Sequence, residues 1–116
     1  MRQLTWLGSS RRDVRGFPDD ARKRTGYELY LVQSGTEPTD WKAMPSVGLG
    51  VQEIRIHTKL EHRVLYVTRL EESIYVLHAF EKKARKTARE DIELARTRLK
   101  ALLNARRTAR KSRNWE

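Results

Sequence analysis

Apolar and polar residues alternate with a period of two in the middle of the chain and with a helical period towards its end. Ile54 and Ile56 alternate with Glu53, Arg55 and His57, the pattern of a strand with one apolar and one polar face. A second run, His62 to Leu70, is apolar on both faces except for Arg63 and Arg69, which predicts a central strand. A third runs from Ile74 to Phe80. The links Thr58 to Glu61 and Leu70 to Ser73 are short, so these strands form an antiparallel meander. After them, Ile92, Ala95, Leu99, Leu102 and Leu103 fall on one helical stripe. Thr87 with Glu90 three residues on has capping-box spacing and marks the start of that helix. Its predicted end lies between Asn104 and Arg107, with a frayed basic tail from Arg106 to Glu116.

The first half reads as cover. Gln3 to Leu7 predicts a short strand with Leu4 and Trp6 on one face. Ser10 followed by Asp13 starts a short helix that ends near Gly16 and Phe17. Pro18, Asp19 and Asp20 open a second helix, with acids where the dipole favours them, and Gly35 stops it after Ser34. Val14, Phe17, Ala21, Tyr27, Tyr30 and Leu31 are its predicted inward residues, which makes a helical hairpin lying on the sheet. Gly35 to Gly50 holds two prolines and three interior or bounding glycines and predicts a long irregular connection, pinned by Trp41 and Met44. The fold class is therefore α+β: an N-terminal helical hairpin and a C-terminal helix packed on a small, mainly antiparallel sheet. One domain is expected over residues 1–104, with a basic tail over 105–116.

Composition narrows the chemistry. A chain of 116 residues can bury a core without a metal or disulfide staple. With no cysteine, thiolate zinc sites and cysteine nucleophiles are excluded. There is no P-loop, nucleotide-binding glycine fingerprint, zinc spacing or Ser/His/Asp triad, and no cofactor is expected. No apolar run reaches the ~20 residues of a membrane span, and the N-terminus lacks the features of a secretion signal, so no membrane partner and a cytoplasmic location are expected. The formal charge is +10, and Lys82 to Arg89 holds five cations and no acid. Such a surface points to nucleic acid, an acidic partner or an anionic membrane; the alternative is a solvated face.

Four segments together carry a family resemblance: Glu53-Ile-Arg-Ile56, Arg63-Val-Leu-Tyr66, Leu77-His-Ala-Phe-x-Lys-Lys-x-x-Lys-Thr87, and Asp91-Ile-x-x-Ala-x-x-Arg98. They resemble the RelE/ParE toxin superfamily, in particular its HigB-type branch with phage-derived toxin-like proteins. The likeness spans Leu4 to Leu103 and is specific from Glu53 to Arg96. It implies a toxin of a type II toxin–antitoxin system: a metal-independent endoribonuclease that cuts mRNA on the ribosome through the transcript's own 2′-hydroxyl. It implies a cognate helix-turn-helix antitoxin, rRNA contacts, and operator DNA met only through that antitoxin. ParE-type relatives share the fold and poison DNA gyrase, and a non-catalytic RNA- or ribosome-binding module is a third reading.

Such a nuclease needs cations on the scissile phosphate and groups that move protons. Arg55 and Arg63, on adjacent strands near a tight turn, are candidate phosphate ligands; the resemblance puts the family's strand-borne arginine at Arg63. The competing role for both is a salt bridge to Glu53, itself a candidate base. Lys82 and Lys83 are the strongest candidates of the cation run, with Arg85, Lys86 and the turn residue Lys59 as further RNA contacts. His78 beside that run is a candidate proton carrier or a buried structural histidine. His57 shares the polar face with Arg55 and is a second candidate, counted with the RNA contacts, whereas His62 is expected exposed in the turn. Tyr66 and Tyr75 are core, catalytic or stacking residues, and Phe80 is core. The acid and the base stay open.

Overall fold

The structure, a computed structural model, describes residues 1–114, with side chains through residue 111. Its elements are β1 (Leu4–Trp6), α1 (Ser10–Arg15), α2 (Asp19–Gln33), β2 (Trp41–Ala43), β3 (Val51–His57), β4 (Glu61–Val67), β5 (Ile74–Glu81) and α3 (Arg89–Asn114). The strands form one sheet in the order β1-β5-β4-β3-β2. All pairs are antiparallel except β1 with β5. The predicted α+β class and the central place of the Arg63 strand both hold. The meander is β3-β4-β5, and β1 reaches the sheet after it by lying parallel to β5, with Leu4 opposite Ile74.

Each face of the sheet has its own core. On the first face Ile54, Ile56, Val64, Tyr66, Ile74 and Val76 meet Val14 of α1 and Ala21, Leu29 and Val32 of α2. On the second, Val51, Leu65, Val67 and Leu77 meet Ala95 and Leu99 of α3. The helix stripe read from the sequence is the stripe that packs, because α3 has no other face able to bury apolar area.

Four expectations are corrected. Tyr27 and Tyr30 lie on the solvent side of α2; Thr25, Glu28, Leu29 and Val32 face inward instead. The buried polar pair is satisfied: the Thr25 hydroxyl donates to the Ala21 carbonyl at 2.8 Å, and the Glu28 carboxylate accepts from the Thr39 N–H at 2.8 Å and the Thr39 hydroxyl at 3.0 Å. Glu28 thereby ties down the connection that follows α2.

That connection is not wholly irregular. Its middle is β2, whose Trp41, Lys42 and Ala43 pair with Ile54, Glu53 and Gln52. A three-residue edge strand is set by its neighbour's free edge rather than by local propensity. The helix starts are also shifted. Ser9 precedes α1 and its hydroxyl donates to Asp13 at 2.7 Å, while Ser10 is buried. At α3 the Ala88 carbonyl accepts the first helical bonds, from Asp91 and Ile92, so Thr87 and Glu90 are one residue out of capping-box register.

The tail is helix as far as Asn114. Residues 105–111 are Ala, Arg, Lys and one Thr, good helix formers with cations where the C-terminal dipole favours them. Arg106 fastens this extension by donating to both Glu72 oxygens, at 2.7 and 3.1 Å. That pairing pulls the Glu72 carboxyl down to about 2. The last two residues of the predicted tail, 115–116, lie outside the described residues.

Candidate nucleic-acid interface

The strand register arranges the polar residues of the second face in rows. Lys42, Glu53, Leu65 and His78 form one row across β2-β3-β4-β5. Arg55, Arg63 and Phe80 form the next. His57 and Glu61 form the last, where the Lys82 N–H donates to the Glu61 carbonyl at 2.7 Å. This end of the face lies beyond the apolar core that α3 covers.

Arg55 and Arg63 are indeed brought side by side, and acids meet both. Glu53 is buried beneath them, with one oxygen 3.4 Å from Arg55 Nε and 3.8 Å from Arg63 Nε. Arg63 is itself buried and donates to Glu61 at 3.0 Å and to the His62 carbonyl at 2.9 Å. Arg55 is 32% exposed and is the member of the pair that solvent reaches. Both arginines thus make the acid contacts that formed the competing reading, while Arg55 keeps an open side.

His57 is clamped. Its Nδ1 lies 2.8 Å from Glu61, and its Nε2 bonds Asp40, which immediately precedes β2. The Asp40 hydrogen bond, followed by that of Glu61, favours the imidazolium and raises the pKa above its ordinary 6.5. The His57 bond likewise lowers the Glu61 carboxyl below 4.5, with help from Arg63. A raised folded pKa contributes stability that is complete below about pH 6.5 and is lost as pH climbs through the folded value; the lowered Glu61 contributes above about pH 4.5 and fails as pH falls through its own. The melting-temperature gap between wild type and His57→Gln should therefore be widest near pH 5.5–6.5 and shrink towards pH 8.5. A gap that grows with pH would contradict the clamp.

The other two histidines are interior. His62 is 1% exposed, not in an open turn, and its ring packs on Phe17 at 4.2 Å. Burial lowers its pKa. His62 alternates onto the first face because β4 already begins at Glu61. His78 is buried, stacked on Phe80 at 4.8 Å, with Nε2 2.7 Å from Asp91 in the first turn of α3. Tyr66 is fully buried and donates to Gln52 at 2.7 Å, and Tyr75 donates to Glu72. Neither tyrosine lies at the cation end.

The cation run forms the β5–α3 link. Lys82 is half-buried, and Lys83, Arg85 and Lys86 are exposed, as is Lys59 in the β3–β4 turn. Lys82, Arg85 and Lys86 line a groove of about 410 Å³ together with Lys42, Met44, Ser46 and Ile92. Among the described residues, none of Lys42, Lys82, Lys83, Arg85 and Lys86 forms an ion pair. Lys42 and Asp40 escaped the sequence reading because β2 pairing is what places them. Glu61 was read as part of the Thr58–Glu61 turn, although its alternation with Arg63 was a signal that it shares that strand face.

No group of three or more His, Cys, Asp or Glu side chains is placed to hold a metal ion, and no helix is long and apolar enough to cross a membrane, among the described residues. A comparison with curated proteins found no match. The family profile described as Phage derived protein Gp49-like (DUF891) matches residues 12–100, which run from within α1 through most of the packed part of α3 and include every residue of the rows above. The chain therefore belongs to the Gp49-like family of phage-derived proteins, a RelE-like toxin family of toxin–antitoxin systems.

Proposed function

We propose that this protein is a HigB-type toxin that cleaves mRNA on the ribosome without a metal. The observation that carries the reading is the convergence of unpaired cations from separate segments. Lys42 of β2 and Lys82, Arg85 and Lys86 of the β5–α3 link line one groove, on the sheet face that also presents Arg55. Cations held together without acids suit a polyanion, and the single-stranded message in the ribosome would supply it. The 2′-oxygen would attack the neighbouring phosphorus and the 5′-oxygen would leave, giving a 2′,3′-cyclic phosphate and a 5′-hydroxyl. Arg55 and Arg63 would hold the phosphate, with Lys82 and Lys83 neutralising the charge that develops. Of the three histidines, His57 suits the acid role best, with its pKa raised by its carboxylate partners and its side chain half exposed beside the arginines. His78, buried between Phe80 and Asp91, suits support of the site better.

The protein would act in the cytoplasm and would be neutralised by a small helix-turn-helix antitoxin, with operator DNA met through that partner. The test is to induce the protein and map transcript ends on ribosomes. Wild type should create new 5′ ends within reading frames, and Arg55→Ala/Lys83→Ala should create none. Identical ends from both, or none from wild type, would sink the nuclease reading. The burial of Arg63 and the double engagement of His57 favour one rival, binding to rRNA without cleavage. It predicts translational arrest with intact transcripts. A gyrase poison would instead inhibit supercoiling by purified gyrase.

A further inference from the structure

Glu61 sits where an anion belongs. Its carboxylate takes hydrogen bonds from His57 Nδ1 (2.8 Å to one oxygen, 3.0 Å to the other) and from Arg63 at 3.0 Å. It lies on the same sheet face as Arg55 and directly opposite Lys82, which follows the last residue of β5. A carboxylate held by an imidazole and a guanidinium has the surroundings of a bound phosphate oxygen pair. Yet the residue is 42% exposed on its side chain and belongs to the first position of β4, next to the β3–β4 turn. It is therefore a ligand able to leave, unlike the buried Glu53 below it.

The charges around the site make the consequence specific. Both ring nitrogens of His57 face carboxylates, which favours its imidazolium form, and in that form Arg55, Arg63 and His57 are matched by Glu53, Asp40 and Glu61. With Glu61 in place the cluster is neutral and has no excess charge for a polyanion. With Glu61 turned away, Arg63 and His57 Nδ1 each regain a donor, and the cluster carries one net positive charge. Glu53 and Asp40 remain to orient both groups.

We propose that Glu61 is the resident occupant of the phosphate subsite, and that an RNA phosphate enters by displacing it. The inference rests on the reading of this face as an RNA site but not on cleavage. In this arrangement Glu61 sets the affinity of the site from within, and its departure frees the His57 Nδ1–H on the side where the phosphate arrives.

The experiment measures binding of a 2′-deoxy-substituted, uncleavable RNA decamer to the purified protein by fluorescence anisotropy over a series of salt concentrations. Glu61→Gln should bind about tenfold more tightly at 0.1 M salt, and the slope of log K against log salt should steepen by about 0.7, one added phosphate contact. Glu71→Gln is the control. It makes the same change in net charge in the turn at the opposite end of β4, and it should shift binding by less than about twofold. Should Glu61→Gln not fold, Glu61→Asp serves instead: it keeps the charge but is one methylene shorter, and should also bind more tightly than wild type. Equal or weaker binding by the folded Glu61 variant, or an equal gain from Glu71→Gln, overturns the inference. Tighter binding without ribosomal cleavage would leave it standing and remove the nuclease reading; cleavage without tighter binding would do the reverse.

Discussion

Glu53→Ala should lower stability by about 3–5 kcal/mol, the usual cost of stranding one member of a buried ion pair. Glu53 is 1% exposed in the middle of β3, and the Arg63 side chain above it is 6% exposed. Arg63 Nε has no hydrogen-bond partner, so its compensation there is the Glu53 charge 3.8 Å away. Glu61 stabilises the far end of the same guanidinium, but its side chain is 42% exposed, so its field is partly screened. For a domain of this size the loss corresponds to roughly 12–20 °C in melting temperature. Glu53→Gln keeps the shape and one acceptor and should cost less. The paired replacement Glu53→Leu/Arg63→Met removes both buried charges and should recover much of the loss. Urea denaturation of the set decides it. If Glu53→Ala costs under about 1 kcal/mol, the arginine does not depend on its buried acid.

The second large effect concerns the groove. Lys42→Ala/Lys82→Ala/Lys86→Ala removes cations that line one groove and form no ion pair among the described residues. If each meets one phosphate, the salt slope for single-stranded RNA falls by about 2, and affinity at 0.1 M salt falls by about a hundredfold. Stability should hardly change, because these side chains leave the apolar core intact. Restoring Lys42 alone tests the register directly, since only the β2–β3 pairing brings it to the groove. A restored slope increment of about 0.7 is expected; no increment would place the RNA elsewhere.

The pattern of residues carried much of this arrangement. Period-two alternation over Glu53–His57 identified β3, and the doubly apolar run from His62 identified the central β4. The stripe Ile92-Ala95-Leu99-Leu102-Leu103 identified the packed face of α3. These signals are local, and burial acts on them directly. Tyr27 and Tyr30 misled because large aromatic residues on a helix resemble an apolar face, whereas α2 buries Thr25 and Glu28 with their own partners. The extension of α3 to Asn114 was hidden by its charge, which reads as a solvated tail yet opposes no helix.

The sequence by itself determined the fold class, the central strand, and the cation run from Lys82 to Lys86, because periodicity and charge are properties of single segments. Only the tertiary structure decided which cations are free and which further one joins them. Arg63 is held by Glu53 and Glu61, His57 by Asp40 and Glu61, and Lys42 enters the groove through a three-residue strand. Each of these outcomes depends on strand register or side-chain pairing in the folded chain. A charge acts through the distance to its neighbours, and register sets that distance.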